Sequence, residues 1–173
     1  MGKSSLLNAV VGQTKLARVS KTPGATRQIH LFRIELTDGS IWTIADLPGY
    51  GFAVRSKDER SQWADDIQKY FFDRPNLRGV CVLIDARRVL GGEEEELFTF
   101  LRERSELAVL VVLTKADKFS KSERGLLEQK FRKSVRYPLV ATSAETGEGI
   151  VKLWRWVTQL TPMVAPPVEP IPE

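Results

Sequence analysis

The sequence predicts an α/β domain built on a doubly wound, mostly parallel sheet with one antiparallel hairpin. Three observations carry this. Two short runs, Val80–Ile84 (VCVLI) and Ala108–Leu113 (AVLVVL), are apolar at every position, as strands covered on both faces must be. Apolar residues at helical spacing separate these runs. Ile29–Leu36 and Ser40–Ala45 flank Asp38-Gly39, a hairpin signature.

The elements follow in order. Ser4–Val11 reads as a helix. After the hairpin, Trp63, Ile67, Tyr70 and Phe71 recur at helical spacing, and Leu97, Phe98 and Leu101 do so after Gly91-Gly92. The acidic run Glu93–Glu96 suits the first turn of that helix. Ser120 and Glu123 form a capping-box pattern ahead of Leu127, Phe131 and Val135. Tyr137–Ala141 is a weaker last strand. Ile150, Leu153, Trp154 and Val157 mark the last helix, with Trp154 on its core stripe and Trp156 partly exposed. Pro162, Pro166, Pro167, Pro170 and Pro172 then predict an extended or flexible tail at 162–173, after a domain at 1–161. Within the strands, Cys81 reads as a buried filler and His30 as a surface residue.

Composition narrows the function. The 173 residues, 42% hydrophobic and 28% charged, exclude a wholly disordered chain. One cysteine excludes an intramolecular disulfide, and one histidine argues against His-based metal sites. No apolar run approaches the ~20 residues of a bilayer span. The start lacks a signal peptide's apolar core, so a cytoplasmic protein is expected. Residues 1–34 hold six basic side chains and no acidic one, and residues 118–136 hold seven basic and two acidic. Such stretches suit phosphate-rich partners, though solvated helix faces read the same way.

Five short signals fall at element ends. Gly2-Lys3-Ser4 matches the end of a phosphate-binding loop, G-x-x-x-x-G-K-[ST], where the first helix opens. That loop needs N–H groups to cradle phosphate, a lysine for the outer phosphates and a hydroxyl for Mg²⁺. Gly2, Lys3, Ser4 and Ser5 are the candidates, with Ser4 on the metal. Pro23-Gly24-Ala25-Thr26 lies before the hairpin, where a loop brings the Thr26 hydroxyl onto Mg²⁺. Gly24, Ala25, Arg27 and Gln28 flank it at the nucleotide. Asp46-Leu47-Pro48-Gly49 follows a strand as a D-x-x-G element, placing Asp46 at the metal's water shell and the Gly49 N–H near the terminal phosphate.

Thr114-Lys115-Ala116-Asp117 follows the Ala108–Leu113 strand as a guanine box, [NT]-K-x-D. A carboxylate accepts from guanine's N1–H and 2-amino group, whereas adenine would leave it unpaired. The Lys115 stem can lie over the base plane. Thr142-Ser143-Ala144, after the last strand, can aim N–H groups at guanine O6. Each signal alone is an ordinary turn. Their order points to a GTP-binding P-loop domain of Ras-like topology, with Lys3, Thr26 and Gly49 as catalytic candidates.

With these motifs the chain resembles the TRAFAC GTPases and, within them, the EngB family (also called YsxC or YihA), over about residues 2–160. The residues carrying the resemblance are Thr22-Pro23-Gly24-Ala25-Thr26, the run from Asp46 to Ala53 (DLPGYGFA), and Leu83-Ile84-Asp85-Ala86-Arg87. Trp63, Tyr70 and Arg74 also fit. The resemblance implies GTP and GDP as bound nucleotides, with Mg²⁺. It also implies a switch role in maturing the large ribosomal subunit, with its rRNA and proteins as partners, and a link to cell division and septation. A monomer acting on neither DNA nor membranes is expected.

Many small GTPases orient water with a glutamine where this chain has Tyr50, so slow intrinsic hydrolysis is expected. Two features depart from the family pattern. The chain starts inside the phosphate loop, so the predicted fold lacks its first strand, and weaker GTP binding than in a version extended upstream is expected. Arg27 intervenes between Thr26 and Gln28. The rival readings are a nucleotide-binding-deficient protein or RNA interaction module and another translation-associated TRAFAC GTPase. An ATP-using enzyme is disfavoured by Asp117.

Overall fold

The computed structural model describes residues 2–12, 29–36, 38–49 and 57–160. The elements run α1 (Lys3–Val11), β1 (His30–Glu35), β2 (Ile41–Asp46), α2 (Lys57–Phe72), β3 (Gly79–Asp85), α3 (Gly92–Arg102), β4 (Ala108–Thr114), α4 (Lys121–Ser134), β5 (Leu139–Ala141) and α5 (Ile150–Thr158). A 3₁₀ turn at Ala116–Lys118 joins β4 to α4.

β1 and β2 pair antiparallel from His30↔Asp46 to Glu35↔Ile41. Their turn is held by Asp38, whose Oδ1 accepts from the Ser40 N–H at 2.9 Å and from its hydroxyl at 2.6 Å. β3, β4 and β5 form a parallel sheet with β4 in the middle. Among the described residues no ladder joins β2 to β3, so the hairpin and the parallel sheet stand as separate sheets.

The alternation of β4 explains the double winding. Val109, Val111 and Leu113 point into one core with Ile67 and Phe71 of α2, Phe98 and Leu101 of α3, and Phe131 of α4. Leu110 and Val112 point into a second core with Leu6 of α1, Val140 of β5 and Leu153 of α5. A strand buried on both faces must be apolar throughout, which is why AVLVVL shows no polar beat. Phe71 is almost fully buried and meets Phe100 edge-on at 5.4 Å.

The capping box at α4 is present: Ser120 Oγ accepts from the Glu123 N–H, and Glu123 accepts from the Ser120 N–H at 2.7 Å. The last strand is shorter than its pattern, because Pro138 has no N–H to donate and only its carbonyl joins the ladder, to Val111. One expectation needs correction. The Cys81 side chain reaches the surface of β3 instead of filling a core. Trp156 is partly exposed, as expected, and packs at the edge of the second core, while the Trp154 indole N–H donates to the Val10 carbonyl of α1. His30 is exposed, as expected.

Candidate nucleotide site

The described motif-bearing residues lie at the carboxyl ends of β2, β4 and β5 and at the start of α1, on the side where ligands bind in open α/β sheets. Gly2 stands immediately before α1 in the left-handed region, at φ 84° and ψ 23°. A side chain there would be strained, and glycine alone turns the chain into the helix freely. Its carbonyl accepts the first helical bond, from Leu6 at 2.9 Å. The N–H groups of Lys3, Ser4 and Ser5 therefore open the helix without intrahelical acceptors, and α1 has no acidic residue in its first turn. This end of α1 is chemically suited to an anion.

Lys3 and Asp46 meet directly. The Lys3 ammonium lies 3.1 Å from Asp46 Oδ1, and the Asp46 side chain is 7% exposed. A buried carboxylate needs a cation, and the lysine supplies it. Leu47 packs on the first core and Pro48 is buried, so the D-x-x-G backbone leaves β2 on an anchored path. Gly49 ends this described segment. Gly24, Ala25, Thr26, Arg27 and Gln28 lie outside the described residues, as do Tyr50 and the proline-rich tail.

The guanine box is welded to the last loop. The Ala116 N–H donates to the Thr142 carbonyl at 3.0 Å, and the Thr142 N–H donates to the Leu113 carbonyl at 2.7 Å. Thr114 and Thr142 are buried, and the Thr114 hydroxyl donates to the Ile84 carbonyl at 3.2 Å. Lys115 is the one described non-glycine residue at positive φ, 62°. Its stem runs toward Gly2: a methyl group on Gly2 would meet Lys115 Cε at 3.9 Å. The base box and the phosphate loop are thus in contact.

Asp117 is held from two sides. Ser143 Oγ donates to its Oδ1 at 2.7 Å, and the Lys118 ammonium lies 2.7 Å from Oδ2. That second contact is an ion pair without hydrogen-bond alignment, so the buried Oδ2 keeps a lone pair suited to a base N–H. Lys118, foremost, and Ser143 hold the Asp117 carboxyl below its ordinary range. Ser143 itself is fully buried. Its N–H is taken by the Glu148 carbonyl at 2.9 Å, which leaves the neighbouring Ala144 N–H for a base carbonyl. The role of Ser143 as a clamp on Asp117 has no sequence signal, because the two residues are 26 positions apart.

Gly149 fixes this loop from behind. A methyl group on it would come within 2.1 Å of the Ala141 carbonyl oxygen, so only glycine lets α5 start this close to β5.

The comparisons with known proteins accord with this geometry. A family model described as a 50S ribosome-binding GTPase matches residues 1–115. A protein of Desulfitobacterium hafniense, described as a "Probable GTP-binding protein EngB", is 39% identical over 167 residues, covering 94% of this chain and 81% of the relative. The chain belongs to the EngB family of GTPases. An EngB relative from Oleidesulfovibrio alaskensis is 40% identical over 162 residues, covering 92% of this chain and 72% of the relative. Among solved structures, Aquifex aeolicus Era bound to GDP and aluminium fluoride superposes with a TM-score of 0.77 at 24% identity. That match covers 97% of this chain and 56% of Era and bears on the fold alone. This EngB-family chain thus has the P-loop GTPase fold that its motif order predicts.

Two outcomes follow from the Asp117 contacts. Ser143→Ala should weaken GDP binding about tenfold, because a hydrogen bond to a charged group contributes roughly 1.5 kcal/mol and its loss frees the carboxylate to turn. Titration with a fluorescent GDP analogue reads this directly. Because the Asp117 pKa is depressed, its carboxylate stays charged on acidification. Its contribution is fully present above the unperturbed value of about 3.9 and is lost only as pH falls through the lower folded value. The preference for GDP over ADP, in which the pH dependence of the shared diphosphate cancels, should therefore be flat between about pH 8 and pH 5, and an inflection in that window would show that another group controls the base site.

Proposed function

We propose that this chain is a GTP-hydrolysing switch that acts on the large ribosomal subunit or its precursor, and through it supports normal cell division and septation. The single observation that carries the ribosomal part is the match to the family of 50S ribosome-binding GTPases. It is supported by charge on α4. Among the described residues, Lys121, Lys130, Lys133 and Arg136 are exposed and enter no ion pair, whereas Lys118, Arg124 and Arg132 are engaged by Asp117, Glu148 and Glu128. Exposed, uncompensated cations on α4 and, with Arg136, just beyond its end suit an RNA backbone. No described helix is long and apolar enough to cross a membrane. The proposed setting is the cytoplasm, with a monomer acting on ribosomal RNA and proteins.

The nucleotide would sit across the carboxyl end of the sheet. The N-terminus of α1 and Lys3 would hold the phosphates, while Asp117, Ala144 and the Lys115 stem would hold the base. Ser4, Thr26 and Asp46 offer hydroxyl and carboxylate oxygens, the hard donors that Mg²⁺ prefers. The buried Asp46 carboxylate already accepts a cation, from Lys3, so the residues fit the metal. When bound, Mg²⁺ supplies charge neutralisation at the β- and γ-phosphate oxygens. Lys3 would balance phosphate charge, and Thr26 and Gly49 would face the γ-phosphate. With Tyr50 in place of a water-orienting glutamine, intrinsic hydrolysis is slow.

Co-sedimentation tests the ribosomal role. The GTP-loaded protein should pellet with large subunits at low salt and be released as salt rises. Charge reversal at Lys121, Lys130, Lys133 and Arg136 should abolish pelleting while leaving GTP affinity within about twofold. Pelleting that ignored salt, nucleotide and these charges would refute the proposal.

A further inference from the structure

The base-box lysine is held by a carboxylate that none of the nucleotide motifs contains. β3 ends at Asp85, opposite Thr114 in the parallel ladder, so its side chain emerges beside the start of the guanine box. The residue is 4% exposed. Its Oδ2 lies 2.9 Å from the Lys115 ammonium and accepts from an Arg87 guanidinium nitrogen at 2.7 Å. Its Oδ1 accepts from Arg87 Nε at 2.8 Å and from the Arg87 N–H at 3.1 Å. The carboxylate is thus fully bonded and fixed in direction.

Lys115 is consequently pinned at three points. Its backbone sits in the left-handed region. Its Cε passes the Gly2 backbone. Its ammonium ends on Asp85. A free lysine side chain loses up to about 2 kcal/mol of rotamer freedom when it is ordered. Here the protein's own contacts make that ordering, and preorganisation of this kind raises affinity without a new ligand contact.

We propose that Asp85 is a positioning residue for guanine binding: it holds the Lys115 stem stretched between β3 and Gly2, in the place where that stem covers the base, without touching the nucleotide. This rests on the assignment of Lys115 to the base site. Arg87 plays a different part. It supplies the second cation to the Asp85 carboxylate, and its own side chain is half-exposed.

A double-mutant cycle reads the idea. Asp85→Asn should weaken GDP binding about tenfold, measured by the dissociation rate of a fluorescent GDP analogue. Lys115→Met should weaken it at least as much. Combining the two should add less than about twofold to Lys115→Met alone, since Asp85 acts through Lys115. Equal losses from Asp85→Asn in both backgrounds would overturn the proposal and make Asp85 a general structural residue. If Lys115→Met left GDP affinity unchanged, the base-site assignment itself would fail and the proposal with it. Should Asp85→Asn fold poorly by circular dichroism, Arg87→Ala decides the matter. With the Lys115–Asp85 pair intact it should keep GDP affinity within about twofold, and a tenfold loss would show that Arg87, not Lys115, carries the effect of Asp85.

Discussion

Asp117→Asn is expected to lower GTP affinity about a hundredfold and to raise affinity for xanthosine triphosphate. Guanine offers two donors, N1–H and the 2-amino group, to a carboxylate held in place by Ser143 Oγ and Lys118. Hydrogen bonds to a charged acceptor contribute roughly 1.5–3 kcal/mol each. An amide in the same place keeps one acceptor and turns the other into a donor, which guanine cannot meet but xanthine's extra carbonyl can. The loss of one charge-assisted bond and the clash of two donors together come to about 3 kcal/mol, or about a hundredfold. Isothermal titration with both nucleotides checks it. Unchanged GTP affinity would remove Asp117 from the base site, and a loss for both nucleotides alike would indicate damage to the loop that Ala116 and Thr142 weld together.

Features that depend on a local pattern were legible in the sequence. The unbroken apolar runs of β3 and β4, the Ser120–Glu123 box and the Asp38-Gly39 turn are each written within a few residues, because each is a short-range physical requirement. Four of the five nucleotide signals were legible as a juxtaposition, because their order places Lys3, Asp46, Asp117 and Ser143 at successive element ends; Thr26 lies outside the described residues. What the sequence hid depends on the packing of distant segments. Cys81 lies in an apolar run, and only the covering of its face decides whether it is buried. Trp156 lies off the apolar stripe on a helical wheel and is partly exposed, yet the edge of the second core still reaches it. The clamp of Ser143 on Asp117 and the grip of Asp85 on Lys115 join positions 26 and 30 residues apart across neighbouring strands. No spacing rule announces them.

The Lys3–Asp46 pair makes two substitutions act in opposite directions, and that opposition is the sharpest test of the phosphate end of the site. Lys3→Met should weaken GTP binding about a hundredfold. A lysine charge about 4 Å from a phosphate contributes roughly 4 kcal/mol at an effective dielectric near 20. Against this stands the pairing with Asp46, which must be given up when phosphate binds. Lys3 is one-fifth exposed, so solvent screening leaves that pairing at about 1 kcal/mol. Asp46→Asn removes this carboxylate as a competitor for the lysine ammonium. In buffer stripped of Mg²⁺ by chelation, Asp46→Asn should therefore bind GDP as well as the unsubstituted protein or severalfold better, while losing the gain that added Mg²⁺ brings. The same carboxylate would thus oppose phosphate binding without the metal and support it with the metal. GDP titrations of the two variants, each with and without Mg²⁺, separate the terms. If Asp46→Asn weakened metal-free GDP binding as much as Lys3→Met did, the ion pair would be a support for the α1 N-terminus rather than a competitor with phosphate.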